Sequence, residues 1–183
     1  SAQFGMAPVF GTTAGFSLSE ISIFVAAFYI GAMVFQFPIG WLSDRMDRRI
    51  LIVVTSAIGF IAALTSILVL DVFLILVGSA LLIGGMSNPL YSLLIAYTND
   101  FLELDDMASA SGGLLFLNGL GAISGPLLTG YLMTQTGPGG YFIILATLLG
   151  SLTVYGFYRM TQRGISDVDT SSYATVLPTA SVV

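Results

Sequence analysis

The chain has 183 residues, 56% hydrophobic and only 8% charged, with a formal net charge of −5 and a mean hydropathy of +0.95. Soluble domains carry about 25% charged residues, and a water-soluble core of this size cannot hide so much apolar surface. The composition therefore reads as an integral membrane protein, and the apolar runs below make it an all-α one. Lys, His and Cys are absent, which excludes disulfides, thiol chemistry and metal sites built on thiolate or imidazole.

No positively charged segment with a small-residue cleavage site opens the chain, and no initiator Met stands first. The start reads as a cut within a longer protein. "SLSE" (17–20) then reads as a capping box, Ser17 capping a helix and Glu20 reaching back to its backbone N–H. The alternative for Glu20 is a proton or substrate site at the outer mouth.

Five apolar runs follow, at 21–42, 50–70, about 72–98, about 107–133 and 141–158. A bilayer core of ~30 Å needs about twenty residues of helix, and none of these runs contains a charge. Strands are excluded because the runs are long and do not alternate. Asp71 marks the second turn, "NDFLELDD" (99–106) the third link, and "TQTGPGG" (134–140) the fourth. Asp105 and Asp106 read as caps before the fourth span, where the helix dipole favours negative charge. The Ser/Thr/Val-rich tail, 164–183, reads as mostly disordered.

Topology follows from the arginines. Arg45, Arg48 and Arg49 lie between the first two spans, and Arg159 and Arg163 follow the fifth. With five spans both places face one side, and the positive-inside rule makes that side cytoplasmic. The third link is then cytoplasmic too, and the N-terminal segment extracytoplasmic.

Ionisable groups inside spans are functional sites by default, and this chain has none there. Any coupling carboxylate must lie elsewhere, unless Glu20 serves or the protein is a uniporter. The third span carries "GGMSNPLYS" (84–92). Pro89 cannot donate a backbone hydrogen bond and frees the carbonyl of Gly85. Interrupted helices at mid-depth point to binding sites, so Asn88, Tyr91 and Ser92 are candidate cavity residues. The alternative is a structural kink with Asn88 bonded to a neighbouring helix. In the fourth span Gly121, Gly125 and Pro126 suit close helix approach or a bend, against the first span or against a part of the protein outside this chain. Asn118 faces the cavity or bonds a neighbour. Tyr29 and Gln36, seven apart in the first span, share a face and are further candidate cavity residues.

The loop "GWLSDRMDRR" (40–49) holds five of the fifteen charges. Three arginines cannot sit in the bilayer core, where each costs about 2.5–3.5 kcal/mol. The loop resembles the signature G-x-x-x-D-R-x-G-R-R of the major facilitator superfamily. Gly40, Asp44, Arg45, Arg48 and Arg49 match, and Asp47 stands where that pattern has Gly. "NGLGAISGPLLTG" and "SSYATVLP" further resemble the bacterial YcaD-like transporters. The first of these also resembles an antiporter motif, but one that belongs to the other half of the family fold, so antiport is not inferred.

The resemblance implies a twelve-helix fold in two halves, of which this chain is the C-terminal part. Residues 1–19 would be the extracytoplasmic end of a truncated helix and its loop, 20–159 a five-helix transmembrane domain, and 160–183 a cytoplasmic tail. The third span would be the tenth helix, which lines the central cavity. The resemblance makes Asp44 the hub of a conformational latch with Arg45, Arg48 and Arg49, closed against the other half. A topology signal alone is the plainer reading of the arginines. Asp47 is expected to cap the second span and to occupy a turn position that can need positive φ.

The implied function is secondary transport of a small solute by alternating access in the bacterial inner membrane. The implied partners are the solute, the lipid bilayer and the missing N-terminal half, with no nucleic acid, no cofactor and no enzymatic role. The competing reading is a non-transporting binding or regulatory membrane protein on the same fold.

Overall fold

The structure, a computed structural model, describes residues 2–102 and 104–162. Six helices follow one another: α1 (Ala2–Thr13), α2 (Leu18–Ser43), α3 (Arg48–Leu68), α4 (Phe73–Asn99), α5 (Leu104–Thr136) and α6 (Gly140–Gln162). No strand occurs among the described residues. The five from α2 onward are long and apolar enough to cross a membrane, and the protein is an all-α multi-pass membrane protein. With 12 residues, α1 rises only about 18 Å. The C-terminal tail expected to be disordered lies outside the described residues.

Most helix ends run past the apolar stretches that announce them, although α3 stops at Leu68. The 33 residues of α5 extend about 50 Å, well beyond a ~30 Å hydrocarbon core. It starts at Leu104, so Asp105 and Asp106 stand in its first turn rather than before it. A helix does not have to stop where the bilayer does, because charged residues remain helical once water or headgroups solvate them.

Local chemistry sets two of the starts. Ser17 caps α2, its Oγ accepting from the Glu20 N–H at 3.3 Å, while Glu20 Oε2 accepts from the Ser17 N–H at 2.8 Å. Asp47 caps α3 by accepting from the Arg49 N–H at 2.8 Å. Its φ is −59°, so the turn needs no left-handed residue, contrary to the expectation from the Gly in the signature. Positive φ among the described residues occurs only at Gly15 and Gly137.

The expected interruption of the third span does not occur. α4 runs unbroken through Pro89, because a proline removes one hydrogen bond while the turns around it keep theirs. α4 packs closely along α2. A Cβ on Gly31 would lie 1.9 Å from the Leu81 carbonyl oxygen, and one on Gly84 would lie 2.2 Å from that of Phe28. The two backbones touch here with no side chain between them.

α3 packs between α4 and α6. Gly156 accommodates Val53, Gly150 the Phe60 ring and Gly59 the Leu149 side chain. Ser56 and Thr153 meet through a buried 3.0 Å hydroxyl contact, Thr153 also bonding its own helix at Leu149 O. At the end away from the arginines, Phe10, Phe24, Phe28, Tyr141 and Phe142 form a fully buried aromatic cluster. The Tyr141 hydroxyl donates to the Gln3 carbonyl at 2.7 Å, tying α1 to α6.

α5 rests on α6, α1 and α4. Gly130 and Pro126 meet Met6 and Gly5 of α1, but a Cβ on Gly121 would meet nothing within 4 Å. Much of α5 is uncovered, with Phe116, Ile123 and Leu127 about two-thirds exposed.

Candidate functional site

The close α2–α4 contact positions the site. With glycines on the seam, the polar residues beside it come within reach of each other. Asn88 Nδ2 lies 3.5 Å from Gln36 Oε1, a long hydrogen bond between the two helices. One turn beyond Asn88, Ser92 is on the same face. A concavity of about 290 Å³ runs from here to the charged loop. Gln36, Ser43, Asp44, Arg48, Pro89 and Ser92 line it. Residues read from the sequence as cavity and residues read as latch thus share one space.

At the loop end Arg48 makes most of the contacts. Its guanidinium pairs with Asp100 at the C-terminus of α4 and lies 4.0 Å from Asp44 Oδ1. It also donates to Ser43 Oγ at 3.3 Å and to the Ala96 carbonyl at 3.4 Å. The Arg48 side chain is 24% exposed, against 74% for Asp44. So the arginine is the more embedded partner, and Asp44 offers its carboxylate outward. Arg48, Asp44 and Asp100 together join the ends of α2, α3 and α4.

The other two arginines turn elsewhere. Arg45 donates to the Trp41 carbonyl at 3.1 Å and lies 4.0 Å from the Trp41 ring centre. Arg49 lies over Tyr97 at 5.5 Å and Phe101 at 5.7 Å. Arginine on an aromatic face is a favourable cation–π placement. The only two ion pairs among the described residues both use Arg48.

The six cavity candidates do not converge on one point. Tyr91 and Asn118 line a separate concavity of about 250 Å³ between α4 and α5. Asn118 also borders a third, of about 290 Å³, with Gln3, Ser87, Gly121 and Gly125. Tyr29 stacks on Phe4 of α1 at 4.7 Å. Helical phase explains the split: Tyr91 is offset from Ser92 by about 100° of helical rotation and so faces another neighbour. Gly85 borders the seam, where a Cβ would meet the Phe35 ring at 2.4 Å.

Two participants were not singled out in the sequence. Asp100 lies 52 residues from Arg48, and no local pattern joins them. Its place at a helix C-terminus, where the dipole disfavours an acid, is the one available hint. Gln3 is buried, and the Ser87 hydroxyl lies 2.7 Å from its Oε1 and 2.5 Å from Ile83 O. A glutamine in an otherwise apolar segment was the signal there.

Comparison with known proteins agrees with this architecture. The sequence pattern of the Major Facilitator Superfamily matches residues 1–173. The chain is 31% identical over 156 residues to an uncharacterised MFS-type transporter, YfkF of Bacillus subtilis, covering 81% of this chain and 38% of that protein. It is 26% identical to the uncharacterised MFS-type transporter YcaD of Escherichia fergusonii, over 79% of this chain and 37% of the relative. It is also 31% identical to a benzoate transport protein of Acinetobacter baylyi, over 78% of this chain and 31% of that one. The matched region thus amounts to about a third of these relatives' length. With the signature loop between two spans and a family match over nearly its whole length, the chain belongs to the Major Facilitator Superfamily.

Proposed function

We propose that the chain is the C-terminal part of a secondary transporter that moves a small solute by alternating access. The observation that carries this is the single concavity joining Gln36 and Ser92 to Asp44 and Arg48. A polar lining continuous with a charged loop is what a gated solute path requires. In this reading Gln36, Asn88 and Ser92 contact solute. Tyr91 and Asn118 line a second stretch of the path, between α4 and α5, and Tyr29 packs on Phe4 beside it. Gly85, Pro89, Gly121, Gly125 and Pro126 let α4 and α5 bend or slide.

Asp44, Arg48 and Asp100 form the half of the latch that this chain supplies. The outward Asp44 carboxylate meets the N-terminal half when the arginine-bearing side closes, with Arg45 and Arg49 bracing the loop on Trp41 and Tyr97. That half packs on the uncovered faces of α2, α4 and α5. The arginine-bearing end faces the cytoplasm of a bacterial inner membrane. The chain by itself then does not transport.

The test is solute flux in proteoliposomes holding the complete protein that contains this chain. Small neutral and weakly acidic solutes are screened, benzoate among them because one relative is named for it. Gln36→Leu and Asn88→Leu are expected to slow flux of the transported solute about tenfold, a barrier change near 1.4 kcal/mol. Ser151→Ala, on α6 away from the α2–α4 face, is expected to leave it unchanged. Wild-type flux in both leucine variants overturns the site, and full flux by the 183-residue chain alone overturns the partnership.

A further inference from the structure

A second basic feature lies at the same end, outside the concavity on α2. Between α3, α4 and α6 is an apolar well of about 90 Å³, walled by Ile52, Leu94, Tyr97 and Leu152, with Arg49 and Arg159 also lining it. These arginines come from helices that are remote in sequence, and neither forms an ion pair among the described residues. No carboxylate lines the well among the described residues. Arg49 is held over Tyr97, which keeps its guanidinium near the well without cancelling its charge.

We infer that this well holds an anionic phospholipid of the leaflet on the arginine-bearing side. Charge selects the headgroup: two guanidiniums suit a phosphate, and arginine binds phosphate through paired N–H donors. The apolar walls select a lipid over a free anion, because an inorganic ion gains nothing from Ile52, Leu94 and Leu152. Location agrees, since the well sits at the ends of three spans, and basic pockets between helices at this level bind anionic headgroups. Tyr97 and Tyr155 border it, as tyrosines do at the membrane boundary. The inference does not rest on the transport reading. The well borders α3 and α4 on the side of α6, and uses Arg49 and Arg159 but neither Arg48 nor Asp44.

The experiment is native mass spectrometry of the detergent-purified protein after incubation with equal amounts of phosphatidylglycerol and phosphatidylcholine of matched chains. The wild type is expected to retain phosphatidylglycerol about tenfold over phosphatidylcholine, at roughly threefold or more per arginine. Arg49→Gln with Arg159→Gln is expected to bring the ratio close to one, and Arg49→Lys with Arg159→Lys to keep most of it. Arg45→Gln, which removes an equal charge elsewhere on the same end, is expected to change nothing. Leu152→Trp, which fills the well and keeps both arginines, is expected to release the lipid and guards against a glutamine variant that misfolds. Equal retention of the two lipids by the wild type overturns the inference, as does undiminished selectivity in the double glutamine variant. Displacement of phosphatidylglycerol by millimolar inorganic phosphate overturns it in favour of a free-anion site.

Discussion

Gly31→Ala tests the contact on which the site depends. The added Cβ would lie 1.9 Å from the Leu81 carbonyl oxygen and 2.8 Å from its carbon. Carbon–oxygen contacts settle at about 3.3 Å or more, so the new methyl is too close by more than about 1 Å. The obstructing atoms are backbone in a continuous helix, so no side chain can swing away and α2 and α4 must part. A gap of even 0.5–1 Å forfeits a quarter to a half of the dispersion energy of the atoms it separates. Overpacking of this kind costs about 1–3 kcal/mol. At about 2–4 °C per kcal/mol for a chain of this size, Tm falls by roughly 2–12 °C. The assay is loss of the monodisperse peak after heating in detergent. Gly84→Ala, against Phe28 O at 2.2 Å, behaves alike. Gly85→Ala is milder, because its nearest obstacle is the Phe35 ring. Gly78→Ala, on the same helix but meeting nothing within 4 Å, is neutral or slightly stabilising. Unchanged Tm in Gly31→Ala, or an equal fall in Gly78→Ala, refutes the close-contact argument.

Two further substitutions probe the loop by the same heating assay. Asp47→Ala removes the acceptor for the Arg49 N–H and is expected to cost about 1 kcal/mol, with Asp47→Asn restoring most of it. Arg48→Gln and Asp100→Asn form a double-mutant cycle whose coupling is expected at about 1 kcal/mol, since the pair is only partly shielded. Arg45→Gln with Asp100→Asn is expected to be additive, because Arg45 turns to Trp41 instead.

Much of this fold is legible without coordinates. A run of about twenty uncharged apolar residues has few alternatives to a membrane helix, and each of the five runs lies inside one of α2 to α6, apart from two residues at the end of the second and one at the start of the third. Ser17 with Glu20, and Asp47 ahead of Arg48, are signals within one helical turn, so their roles as caps follow from spacing alone. The helix ends are less legible. Hydropathy falls at the first charge, whereas α5 begins with Leu104-Asp105-Asp106. Pro89 misleads in another way, because a local breaking tendency is overridden once α4 is packed along α2.

The charge pattern, the five apolar runs and the signature loop determined by themselves that this is a membrane-spanning member of a known superfamily. They did so because each signal is local: it needs only the cost of charge in hydrocarbon and the chemistry of one turn. The pairing of Arg48 with Asp100, the backbone contact at Gly31, and the union of Gln36, Ser92 and Asp44 in one concavity were decided only by the tertiary structure. Each joins residues on different helices. Which faces meet depends on how small residues let two helices approach, and no single helix encodes that.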